Sequence, residues 1–276
     1  MRDFHCIGPW AQNKRYLRSW DARPHHAPIY HLLWAYGHAK TIAMLDSNRP
    51  PVAGARRFQD IGHGVLVVGV GGGSGSGKTT LARHLEAAIG SDLCAVVSQD
   101  SYYRDLAHME FEERQRVNFD HPKSVDATLM AEHVNELRSG RDVTLPQYDF
   151  ARHVRFPEGR GLKARPLVVI EGILVLVWPE VRELMDLCVF VDAPEPVRLG
   201  RRLERDVSER GRDAEGVLSQ YYGSVRPMHQ QFVGPSAQFA NLVVDGEGNL
   251  DASVSRVVQA LTAIVELRPK RLTESG

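Results

Sequence analysis

The chain has 276 residues, 43% of them hydrophobic and 25% charged, which suits a soluble globular protein with one large α/β domain and an appendage. Its 34 basic and 34 acidic residues cancel, so charge alone points to neither a nucleic-acid partner nor an anionic membrane surface. Cys6, Cys94 and Cys188 are too few and too scattered for a disulfide framework or a zinc site, and no apolar run is long enough to span a bilayer. Buried thiols in a reducing, cytoplasmic setting are the expectation.

The balance conceals an asymmetry. Residues 1–64 hold nine Lys or Arg against four acids, a net of +5, together with six of the 12 histidines and three of the four tryptophans. Pro24, Pro28, Pro50 and Pro51 punctuate this stretch. It reads first as a flexible extension, or as the product of an upstream start codon that is not used. Competing readings are a partner-binding patch over Ile29–Tyr36, a transit peptide, and metal binding by His25, His26, His31 and His38, for which no ligand spacing speaks.

From Val65 onward strand-like and helical runs alternate, the pattern of a parallel sheet covered on both faces. The first run, 65–70, ends in Gly72-Gly73-Ser74-Gly75-Ser76-Gly77-Lys78-Thr79-Thr80, a phosphate-binding loop with the spacing G-x-x-x-x-G-K-T. Each part has a task. Glycines allow successive N–H groups to converge on phosphate oxygens, Lys78 adds a point charge at the β and γ phosphates, and Thr79 offers a hydroxyl to Mg²⁺. The helix predicted over 78–89, apolar at 81, 85, 88 and 89, aims its positive end at the same anion.

Further strands are predicted at 94–98, 167–171, 187–191 and 241–244, and further helices at 126–138, 180–185, 195–209, 214–231 and 251–266. Asp126 is placed to cap its helix and Gly140 to end it. Residues 141–166 read as a hairpin laid beside the sheet. The nucleotide-binding domain is therefore expected over 65–268, with a disordered tail over 269–276.

Chemistry is sought just past the strand ends, where ligands of such sheets lie. Asp100 follows the strand 94–98. It could hold Mg²⁺, accept a proton from an attacking hydroxyl, or cap the next turn. Glu171 ends the strand 167–171, where a desolvated carboxylate favours a cation ligand over an accident of sequence. The run from Arg201 to Asp213 is rich in both charges. By itself it reads as a solvated helix in which Glu204, Asp206 and Glu209 pair with the arginines, whereas beside a phosphate loop it suits the charge that develops in phosphoryl transfer. Tyr102 and Tyr103 either line the site or pack.

Asn118-Phe119-Asp120-His121-Pro122, Tyr148-Asp149-Phe150-x-x-His153, Phe190-Val191-Asp192 and the run 201–213, taken with the phosphate loop, resemble the uridine kinase (uridine-cytidine kinase) family of P-loop kinases. The resemblance spans about 65–245. It implies an α/β fold with a P-loop NTPase-type parallel sheet flanked by helices, a small β-hairpin insertion and a helical lid. It also implies transfer of the γ-phosphoryl of ATP or GTP, with Mg²⁺, to the 5′-hydroxyl of uridine or cytidine. On this resemblance Asp100 is the base, and Asp120 binds the ribose hydroxyls with Phe119 beside it. Tyr148 and His153 contact the pyrimidine, with Tyr103 nearby. Arg212 and Gln220 hold the nucleoside, while Arg202, Arg205 and Arg210 lie over the transferring phosphate. A homotetramer is implied as well.

Residues 234–241 and 245–249 depart from the family pattern, lacking its lysines and loop arginine, so ATP and GTP both stand as donors. Alternatives are a related kinase with another small acceptor, as in the phosphoribulokinase and pantothenate kinase groups, or a nucleotide-binding protein without turnover.

Overall fold

The computed structural model describes residues 64–267, so the expectations for the N-terminal extension and the C-terminal tail lie outside the described residues. Five strands form the main sheet: β1 (Leu66–Gly72), β2 (Cys94–Ser98), β7 (Leu167–Glu171), β8 (Leu187–Asp192) and β9 (Leu242–Asp245). Their order across the sheet is β2-β7-β1-β8-β9 and every pair is parallel. β1 is thus the middle strand, and the phosphate loop leaves from the centre of the carboxyl edge.

Successive side chains of a strand face opposite ways, and here the two faces bury two separate cores. Val67, Val97, Val168, Ile170 and Phe190 pack toward α2 (Ala127–Arg138), whose Met130, Val134 and Leu137 are buried. Leu66, Val68, Val70, Val169, Val189 and Val244 pack toward α1 (Lys78–Ile89) and α5 (Leu250–Leu267) through Leu81, Leu85, Val257 and Leu261. Burial on both faces explains why these strands read as continuous apolar runs.

The predicted strands and the helices α1, α2 and α3 (Glu195–Ser208) stand within two residues of their expected bounds. Asp126 caps α2 by accepting from the Leu129 N–H at 3.3 Å, and Gly140 follows its end with φ 79°. Two helical expectations need correction. The helix at 180–185 is a single turn, Pro179–Arg182. The run 214–231 is α4 (Ala214–Gln220) continued by widened turns at Tyr221–Val225 and His229–Val233. Pro227 lies between those turns without an N–H to donate, so a regular ladder cannot pass through it.

The stretch 141–166 is a hairpin of two nested antiparallel ribbons. β3 (Val143–Leu145) pairs with β6 (Arg160–Leu162), and β4 (Tyr148–Asp149) pairs with β5 (Val154–Arg155) nearer the tip. Pro146 separates β3 from β4 because it cannot donate to a ladder. Cys94 and Cys188 are free and buried, and burial, with a further push from Glu86, raises the Cys94 thiol to about 12. Among the described residues no helix is long and apolar enough to cross a membrane.

Candidate active site

The phosphate loop is held in shape by its own backbone and by α3. Ser76 N–H donates to the Gly73 carbonyl at 3.0 Å, and Leu81 N–H to Gly77 at 2.9 Å. Gly75 sits at φ 79° with its α-carbon against α3, where a Cβ would run into the Arg198 carbonyl. Only glycine combines that left-handed angle with that approach. Arg201, exposed on the next turn of α3, donates to the Gly246 carbonyl at 2.9 Å and to the Ser76 carbonyl at 3.4 Å. Ser74 is buried, whereas Thr79 and Thr80 are exposed at the start of α1.

The two strands beside the loop bring two carboxylates to the same edge. Glu171, 5% exposed, accepts from the Thr79 hydroxyl at 2.9 Å and from the Ser98 hydroxyl at 2.8 Å. Those two bonds make its burial tolerable. Ser98 also accepts from the Asp100 N–H at 3.3 Å, which fixes the turn that carries Asp100 off β2. Burial raises the Asp100 carboxyl above its ordinary value and Glu171 adds to the rise, while Lys78, Arg210 and Arg205 pull it back. Asp120 is also raised by burial, against the pull of Arg202 and Lys78. Lys78 therefore acts on both carboxylates from the phosphate-loop side.

Opposite this polar group lies an aromatic cluster. Tyr103 packs its ring 5.4 Å from both Phe119 and Tyr148, and Phe119 stacks on His153 at 4.8 Å and 20°. His153 is the one described non-glycine residue at positive φ, 56°, and its ring also lies parallel to that of Phe111. Burial lowers the His153 imidazole, which keeps one ring nitrogen a donor and the other an acceptor at neutral pH. The Tyr148 hydroxyl is buried with no hydrogen-bond partner among the described residues. Arg155 fastens the hairpin to the Asp100 loop by donating to the Tyr103 carbonyl at 2.7 Å and the Tyr102 carbonyl at 3.1 Å.

The arginines of α3 and the segment after it converge on one residue. Asp206 is fully buried, at 0% exposure. Arg205 grips its Oδ1 through Nε at 2.9 Å and Nη2 at 2.8 Å. Arg210 lies 3.3 Å from Oδ1, and Arg212 and Arg202 lie 3.3 and 3.6 Å from Oδ2. Arg202, itself buried, reaches past Asp206 to donate to the Ser74 hydroxyl at 3.0 Å and to Gln220 Oε1 at 3.0 Å. Gln220 Oε1 also accepts from Arg212 at 2.7 Å, so its carbonyl is committed to arginines and only its amide N–H groups remain for a ligand.

Glu171 and the turn carrying Asp100 lie beside the phosphate loop, Arg202 joins that loop to Gln220, and Tyr103, Phe119, Tyr148 and His153 share one aromatic cluster, whereas Tyr102 is fully buried in the core. Tyr103 of the aromatic cluster feels the charges of Asp100, Asp120 and Arg202, which places the cluster next to the polar group. The sequence alone does not point to Ser98, Arg155 or the central place of Asp206. For Asp206 a signal was available. It stands four residues after Arg202 and four before Arg210, the spacing that puts side chains on one helix face.

Residues 67–252 match the sequence model of the phosphoribulokinase / uridine kinase family. The uridine kinase of Chloroflexus aurantiacus is 40% identical over 204 residues, covering 74% of this chain and 98% of that protein. The uridine kinase of Clostridium novyi is 39% identical over 201 residues, covering 71% and 97%. In fold alone, the phosphoribulokinase of Rhodobacter spheroides superimposes with a TM-score of 0.50 at 14% identity, covering 66% of this chain and 70% of that one.

Proposed function

The chain belongs to the phosphoribulokinase / uridine kinase family of P-loop kinases, and from that premise we propose that it phosphorylates the 5′-hydroxyl of uridine or cytidine at the expense of ATP or GTP. The observation that carries this reading is the position of Asp100, between the cations of the phosphate-transfer side and an aromatic cluster with a buried hydroxyl that has no hydrogen-bond partner among the described residues. A flat base fits against aromatic rings, and a site that hydrogen-bonds its edge rejects molecules lacking that edge. Tyr148 and the neutral His153 supply such bonds.

Asp100 accepts the proton of the 5′-hydroxyl as the oxygen attacks the γ-phosphorus. Burial and Glu171 raise its carboxyl, which makes it a better proton acceptor than an ordinary aspartate. Asp120 binds the ribose hydroxyls, with Phe119 against the sugar. Lys78, Arg202, Arg205 and Arg210 face the equatorial oxygens of the loose transition state, where charge accumulates, and Arg212 closes the ribose side. Gly72 to Thr80 cradle the donor phosphates.

The oxygen set at the loop fits Mg²⁺. Thr79 Oγ1 and the Glu171 carboxylate are 2.9 Å apart at the carboxyl edge, hard donors suited to a hard cation held partly through water. Bound there, Mg²⁺ would neutralise the donor phosphates. Departures from the family pattern at 234–241 and 245–249 leave the donor as either purine triphosphate.

The test is a coupled assay of ADP or GDP release over a panel of nucleosides. Release stimulated by uridine or cytidine supports the reading, and no stimulation above the control without acceptor overturns it. A homotetramer, proposed from the same family, is read separately by light scattering.

A further inference from the structure

Four guanidiniums around one carboxylate carry a net charge of +3, and at neutral pH they would repel one another and turn outward if nothing held them. Asp206 holds them. It is the acid common to Arg202, Arg205, Arg210 and Arg212, and it is fully buried. Its oxygens occupy a small part of the donor capacity, because each guanidinium offers five N–H groups. Arg205 uses its Nε and one side of Nη2 on Asp206, and its Nη1 is left for another anion. Arg202 at the same centre reaches Ser74 of the phosphate loop. One buried charge therefore gathers four cations, one of which is bonded to the loop.

We propose that Asp206 is the positioning residue of the phosphoryl-transfer site, assembling the four arginines into a receptor for the polyphosphate anion before any substrate arrives. It touches no substrate. Its effect passes through the guanidiniums, whose preset orientation means that little reorganisation is needed as charge develops. As to rate, the inference rests on the kinase reading above, whereas anion binding by the receptor does not.

Asp206→Asn separates positioning from simple charge. Removing a negative charge makes the cluster more positive, so a pure charge effect would tighten the binding of inorganic tripolyphosphate. Loss of positioning does the opposite, because one amide cannot anchor four guanidiniums. The expected result by calorimetry is tripolyphosphate binding about 10-fold weaker, with kcat for nucleoside phosphorylation lower by about 10²-fold. In an Arg205→Gln background the same change should cost much less, because residues acting as a unit are not additive. Unchanged or tighter tripolyphosphate binding overturns the proposal, as does an undiminished cost in the Arg205→Gln background.

If Asp206→Asn does not fold, Asp206→Glu decides. It keeps the charge and moves it by one methylene, so both kcat and tripolyphosphate affinity should fall, and wild-type tripolyphosphate affinity overturns the proposal. Wild-type protein inactive on every nucleoside would remove the kinase reading, leaving the tripolyphosphate arm to judge Asp206.

Discussion

Asp100→Asn is the substitution in which activity and stability should move in opposite directions. Among the described residues the carboxyl has no side-chain hydrogen bond, and the bond that shapes its turn runs from its backbone N–H to Ser98, which asparagine keeps. Ionised Asp100 is disfavoured by burial and by Glu171, more than Lys78, Arg210 and Arg205 offset. A carboxyl raised on folding contributes stability that is complete below the unfolded value and lost as pH rises through the folded one. Above its unfolded value the buried carboxyl is therefore a net burden on the fold, and asparagine should raise Tm, with the gain shrinking as pH falls. The rate should go the other way. A general base supplies about 10²–10⁴-fold, or about 2.7–5.5 kcal/mol at 1.36 kcal/mol per decade. The assays are steady-state kcat with saturating uridine and ATP, uridine affinity by calorimetry, and Tm by calorimetric scan at several pH values. In the wild type the acid limb of kcat should lie above the ordinary aspartate range, with activity lost as pH falls through it. Turnover equal to wild type in a folded Asp100→Asn protein would refute the base assignment. A lowered Tm at neutral pH would refute the electrostatic argument.

Three further outcomes are expected. Glu171→Gln loses the carboxylate that accepts from Thr79 and Ser98, so the Mg²⁺ concentration for half-maximal activity should rise about 10–100-fold in a metal titration. Tyr148→Phe removes a buried hydroxyl that has no hydrogen-bond partner among the described residues, so Tm should hold or rise, while the KM for nucleoside should increase up to about 10-fold for one lost bond of about 1.4 kcal/mol. Gly75→Ala forces a Cβ toward the Arg198 carbonyl at φ 79°, so denaturant unfolding should report a loss of more than the ~1–2 kcal/mol that the left-handed angle alone costs, together with weaker ATP binding by titration.

How far the chain can be read without its structure depends on where the determining contacts lie. α1 and β2 are legible to the residue because their signals are local: a glycine-rich loop with Lys78 opening a helix, and an apolar run ending at Ser98. The run 214–231 is helical as its spacing predicts, but the widened turns on either side of Pro227 are a change of ladder that periodicity does not register. The site divides in the same way. Lys78 and Thr79 are given by spacing, but the commitment of the Gln220 carbonyl to Arg202 and Arg212 depends on contacts that cross 18 and 8 residues. Asp206 looks like a surface partner in a mixed-charge helix, and only its burial against four arginines reveals otherwise.

α3 divides the arginine group into two mechanical classes. Arg202, Arg205 and Asp206 ride on a 14-residue helix pinned near its start, where Arg198 lies against Gly75 and Arg201 bridges Ser76 and Gly246. Arg210 and Arg212 come after its last turn, on either side of Gly211 at φ 63°. A rigid rod cannot swing without dragging the loop to which it is pinned, so any pivot belongs beyond Ser208. The receptor then has one jaw registered directly to the donor phosphates and a second whose alignment depends on its grip on Asp206.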